Sequence, residues 1–237
     1  MNIEPLPPPS PSLESEVHRR LRDLIVAGEL APGALYSMNE LAAQLRVSRT
    51  PVAQAVARLA DQGMVRVEHR RGMRVLETST HDLAEIYQIR LLLEPRAAHR
   101  ATSLMRRADH RRLQHALRAL GDVADGAANL REYLRRDAHF HHVILQASGN
   151  RRLAEYVDTL RDLQMIRDLS TVDRSRPLVD VVADHERIYE KIVRGDADGA
   201  EREMHSHIAT TYELLVAQET GESAAARSSW PAPPGDL

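Results

Sequence analysis

Residues Ser37 to Gly63 read SMNELAAQLRVSRTPVAQAVARLADQG, two short helices joined by a two-residue break. Ser37-Met38-Asn39-Glu40 has the form of a capping box, serine at the N-cap and glutamate three residues later. The helix it opens runs through Leu41 and Leu45 to the break at Arg46-Val47. Ser48 caps a second helix, whose first turn tolerates Pro51. Val52, Val56 and Leu59 mark its inward face, and Gly63 ends it. So tight a junction predicts a helix-turn-helix.

The flanking residues extend that unit. Upstream, Val17, Leu21, Leu24 and Ile25 have helical spacing in a segment from Leu13 to Ala27. Gly28 stops it, and Leu30-Ala31-Pro32-Gly33 reads as a turn. Downstream, Met64-Val65-Arg66-Val67 and Arg74-Val75-Leu76 are β-like runs around a tip that holds Arg70, Arg71 and Gly72, a β-hairpin. Helix, helix, second helix of the pair and hairpin make a winged helix-turn-helix.

Net charge over the 237 residues is −2, but between Arg46 and Arg74 seven arginines face two acids, Asp61 and Glu68. A local basic patch is what phosphate binding requires, whatever the total charge. The helix starting at Ser48 would enter the major groove by its N-terminus. Arg49 has the fork that grips guanine O6 and N7. Ser48 and Thr50 suit phosphates at a positive helix end, and Arg70 and Arg71 suit the backbone or minor groove.

The segment from Val17 to Leu76 resembles the GntR family of bacterial transcription regulators. The likeness lies in I-x-x-G-x-L-x-P-G, then ELA, V-S-R-T-P-V and ARL-x-x-x-G. One position departs. The family usually carries Arg-Glu after TPV, with the arginine on DNA, where this chain has Ala53-Gln54. The resemblance implies a homodimer on a short palindromic operator in double-stranded DNA.

The rest of the chain is helical in pattern. Helices are expected near 81–105, 109–124, 129–148, 151–170, 177–194 and 197–218, with joints at Gly121 and Gly126, Gly149-Asn150, Arg176-Pro177 and Gly195-Asp196. Short connections imply an antiparallel bundle. The expected fold class is mainly α. It divides into a disordered leader (1–11, with five prolines), a winged helix-turn-helix (12–78), an all-helical sensing domain (79–219) and a disordered tail (220–237). Cysteine is absent, which removes disulfides and thiolate ligands. No apolar run is long enough for a membrane span and no secretory signal is evident, so a cytoplasmic protein without membrane contact is expected.

Asp137, His141, His185 and His207 stand on apolar stripes of the expected helices. Leu130, Leu134, Ile144 and Leu145 surround the first pair. Val181, Val182, Ile188 and Ile192 surround His185, and Met204 and Leu214 flank His207. Buried polar groups need partners, and one carboxylate with three imidazoles can satisfy each other on a divalent metal. All-N/O ligation suits zinc, nickel, manganese or iron. Asp137 and His141, four apart, share a helix face. His139, His142 and His205 fall off the stripes. This part resembles the metal-containing FCD domain of the family's FadR-type branch, whose pattern is Asp-x-x-x-His on one helix and a histidine on each of two later ones.

Arg90 lies on the stripe of Leu83, Ile86, Tyr87, Leu93 and Ala97. A buried arginine demands an anion, either Glu94 one turn on or, as the resemblance implies, the carboxylate of a small organic acid effector. The expected function is a DNA-binding regulator, a repressor, that senses an acid at a metal site and is not an enzyme. Two alternatives compete with this reading. A metal-dependent hydrolase or lyase would need Glu186 as general base, but its side chain should diverge from His185. A metal-free acyl-CoA binder would have no use for the ligand set.

Overall fold

The computed structural model describes residues 12–124, 130–166, 170–172 and 174–220. The expected leader, the tail beyond Thr220, Gly126 and the end of the 151–170 helix lie outside them. The chain divides into two compact units with the main boundary between Thr78 and Ser79, Met165 and Ile166 being grouped with the first.

The first unit holds α1 (Leu13–Val26), β1 (Leu35–Tyr36), α2 (Met38–Leu45), α3 (Arg49–Asp61), β2 (Val65–Glu68) and β3 (Gly72–Val75). Val17, Leu21 and Ile25 from α1 are buried with Leu41, Val52, Val56 and Leu59, and α1 and α2 both pack on α3. Arg46 ends α2 in the left-handed conformation (φ 55°, ψ 42°), which makes the break before α3 tight.

Three details differ from the sequence reading. The wing has three antiparallel strands in the order β1-β3-β2, with Leu35 opposite Arg74 and Val65 opposite Val75. A two-residue strand has no alternation to read, and only β3 reveals it. Ser37 caps α2 by accepting from the Asn39 N–H at 3.3 Å, and the reciprocal capping box forms instead at Ser79 and Asp82. Ser48 holds the N-cap position of α3, but its side chain makes no cap hydrogen bond.

The second unit holds α4 (Thr80–Leu104), α5 (Arg107–Ala124), α6 (Leu130–Ala147), α7 (Arg151–Ile166), α8 (Leu178–Val193) and α9 (Ala197–Thr220). The two longest, α4 and α9, pack along each other; α6 and α8 pack on α4, and α5 packs on α6 and α8. The fold is mainly α, a winged helix-turn-helix followed by a helical bundle. No described helix is long and apolar enough to cross a membrane.

Candidate functional site

The apolar faces of α6, α8 and α9 carry Asp137, His141, His185 and His207 to one place. Phe140, Ile144, Val181, Ile188, Met204 and Ile208 on the same helices are buried, and the Phe140 ring stands edge-on to those of His141 and His185. One ligand atom from each of the four lies within 4.8 Å of all the others. The His185 and His207 rings are 4.4 Å apart between centroids, and His141 lies 5.3 Å from His207. His141 and His185 are fully buried, His207 is 6% exposed and Asp137 is 9% exposed.

Each imidazole is oriented by its Nδ1. His141 Nδ1 donates to Glu94 Oε2 (2.5 Å), His185 Nδ1 to the Val181 carbonyl (2.7 Å) and His207 Nδ1 to Asp184 Oδ2 (3.3 Å). A neutral ring whose Nδ1 carries the hydrogen keeps a lone pair on Nε2. Those of His141 and His185 are buried with no hydrogen-bond partner. His185 Nε2 nonetheless sits 2.9 Å from Asp137 Oδ1. The contact has the length of a hydrogen bond, which a neutral ring with its hydrogen on Nδ1 cannot donate. Nε2 lone pairs converging on a carboxylate fit a divalent cation, and acceptors bonded to Nδ1 are the usual companions of metal-bound histidine.

Burial lowers the pKa of His141 to about 3, despite the opposing charge of Glu94. It lowers His207 to about 4. Burial alone would raise the carboxyls of Asp137 and Glu94. The Arg161 guanidinium beside Asp137, and Arg90 beside Glu94, reverse that and hold both well below the usual range. Asp137, His141 and His207 therefore stand in the protonation states a metal needs.

Arg90 is 3% exposed, and its first partner is internal: Nε donates to Glu94 Oε1 at 2.6 Å. Nη1 donates to Gln164 Oε1 at 2.7 Å, and the guanidinium lies 4.8 Å from the Tyr87 ring centroid. Arg90 also borders a small cavity that reaches Asp137 and His207 and is lined by the side chains of Tyr133, Ser170, Thr171 and Thr211. Glu186 is exposed, away from the cluster. His139 is exposed, His205 half-buried, and His142 pairs with Asp158 at 2.8 Å.

Sequence reasoning missed Arg161 and Asp184. Arg161 binds Asp137 Oδ2 and approaches Glu94 Oε1 (3.6 Å). It replaces an apolar residue on the line Ala154, Val157, Arg161, Gln164, the same signal that marks the histidines. Asp184, one turn after Val181 and one before Ile188, is clamped by Arg176 (2.5 and 2.8 Å) and holds His207.

In the first unit, Ser48, Arg49 and Thr50 are exposed at the start of α3, and Arg49 has no salt bridge among the described residues. Arg70 and Arg71 are exposed at the wing tip. Arg70 is left-handed (φ 59°), while Arg71 Nη1 pairs with Glu68 Oε2 at 2.8 Å.

Residues 13–75 match the model of the bacterial regulatory proteins of the gntR family, and residues 85–210 match the FCD domain. The HTH-type transcriptional repressor RspR of Escherichia coli K12 is 26% identical over 209 residues, covering 88% of this chain and 91% of RspR. A probable D-xylose utilization operon transcriptional repressor of Paenarthrobacter nicotinovorans is 28% identical, covering 90% of this chain and 95% of its own. Among solved structures, E. coli McbR/YncC superposes with a TM-score of 0.78 at 23% identity over 88% of this chain and 99% of that one, a likeness of fold.

Proposed function

The chain belongs to the GntR family of bacterial regulatory proteins and carries its FCD domain, and from this premise we propose a metal-dependent sensor of a small organic acid that represses transcription. A DNA-binding regulator, not an enzyme, is what the family makes it. The finer reading rests on one observation, the buried Nε2 atoms of His141 and His185 directed at Asp137 Oδ1, at 4.0 and 2.9 Å. Asp137, His141, His185 and His207 would hold a divalent cation. When bound, it supplies a Lewis-acid position for a carboxylate.

The chain's own residues do the rest. Glu94, Val181 and Asp184 fix the rings, Arg161 orients Asp137, and Arg90 offers the acid a second anchor from the cavity wall. Ser48, Arg49, Thr50, Arg70 and Arg71 carry the DNA contacts. A homodimer places two α3 helices on a short palindromic operator, because one helix reads few base pairs. The acid alters operator affinity by the difference between its affinities for the two arrangements of the dimer. The test is metal analysis of the purified protein beside gel shifts on its own upstream DNA and calorimetric titration with organic acids. Bound metal, a shifted band released by acid, and weaker acid binding in Arg90→Ala support the proposal. A metal-free protein that binds acids equally well with and without Arg90 overturns it.

A further inference from the structure

The DNA-facing line of α3 continues past Arg49. Arg49, Ala53 and Ala57 follow at intervals of four, so they share one face. All three are exposed and line the groove, about 470 Å³, between α3 and the wing. Val67, 52% exposed, borders the same groove from β2. Along this line, for two turns beyond Arg49, the residues offer nothing larger than a methyl group and no hydrogen-bonding side-chain atom; exposed Thr50 and Gln54 stand one residue to its side.

That composition restricts what the face can read. Guanine, adenine and cytosine are recognised in the major groove through donors and acceptors, which alanine cannot answer. The C5 methyl of thymine is the apolar mark on the groove floor, and alanine is a suitable contact for it. Small side chains also let the helix lie close to the base edges. Ala53 lies about 6 Å along the axis from Arg49, near two base steps of about 3.4 Å.

We infer that Ala53 is a specificity-determining residue that reads a thymine methyl, with Ala57 extending the apolar contact inward. Each half-site then carries a guanine under Arg49 and a thymine one or two base pairs further along α3. The inference rests on α3 being the base-reading helix.

The experiment selects binding sites for the full-length protein from a random duplex pool. Each selected thymine is then replaced in turn by deoxyuridine, which removes only the methyl group. The expected result is one position per half-site where the replacement weakens the wild type about three- to tenfold. Ala53→Ser, which keeps the helix, and Ala53→Gly should bind the thymine duplex more weakly and be indifferent to deoxyuridine there. Circular dichroism confirms their folding, and the wild-type scan needs no variant. Full wild-type affinity for every deoxyuridine duplex, or the same penalty in both variants, overturns the inference while leaving the regulator reading intact. Failure to bind any duplex overturns both.

Discussion

His185 Nε2 faces Asp137 Oδ1 across 2.9 Å, while its Nδ1 lies 2.7 Å from the Val181 carbonyl oxygen. With the ring neutral and its hydrogen on Nδ1, the two facing acceptors repel unless a cation lies between them, so a bound metal should also stabilise the fold. Metal at about one hundred times its dissociation constant adds about 2.7 kcal/mol, about 5–10 °C in melting temperature for a chain of this size. Chelation should lower the Tm of wild type by that amount and divalent metal should restore it. Asp137→Ala should respond to neither. A wild-type Tm indifferent to chelator and metal would contradict the reading.

Acid should destabilise the metal-free protein early. His141 and His207 have folded pKa values of about 3 and about 4, below the ordinary 6.5. The unfolded chain therefore binds more protons as pH falls through 6.5, and stability drops with pH until the folded values are reached. Asp137 and Glu94, both depressed, add losses of the same sign at lower pH. Urea denaturation of chelated protein between pH 7.5 and 4.5 should show a midpoint that declines steadily below about pH 6.5.

Glu94 is fully buried and serves Arg90 (2.6 Å), His141 (2.5 Å) and Arg161 (3.6 Å) at once. Glu94→Gln leaves buried guanidinium charge uncompensated and should cost about 3–5 kcal/mol in chemical denaturation. Glu155→Gln, which breaks the exposed pair with Arg151, should cost less than about 1 kcal/mol.

At the DNA end, Arg49→Ala should relax sequence preference, because a base-reading fork is lost. Arg70→Asn, which suits the left-handed backbone, should weaken all duplexes alike and reduce the slope of log K against log salt by about 0.9. Arg71→Ala should act in the same sense but less, since Glu68 already holds part of its charge. Gel shifts over a salt series on selected and scrambled duplexes separate the three.

Gly72 opens β3 at φ 135°, where a Cβ would stand 2.0 Å from the Tyr36 carbonyl oxygen. Gly72→Ala should therefore part β1 from β3 and cost about 1–3 kcal/mol or more. Hydrogen exchange at the wing amides should rise while α1 and α3 stay protected.

The architecture was legible because periodicity and punctuation agree along most of the chain. The metal candidates stood out because imidazoles interrupt runs of leucine, valine and isoleucine. Arg161 carries the same mark, but its helix stripe is already mixed, with Ala154 and Gln164 as neighbours, so the interruption has little contrast. Asp184 was hidden beside His185. Of the partners of Arg90, Glu94 was legible because it lies one turn away in sequence, whereas Gln164 and the cavity wall arrive from α7 and beyond.

The guanidiniums of Arg90 and Arg161 are matched one for one by the carboxylates of Glu94 and Asp137. This buried quartet is already electroneutral. A dication added to it would bring a surplus that these two carboxylates do not cancel, open to a small anion. On the proposed function the acid and the metal would thereby be tied together by charge balance: an interior stripped of its ion would have no surplus for an acid to cancel, and the protein would lose its response without unfolding.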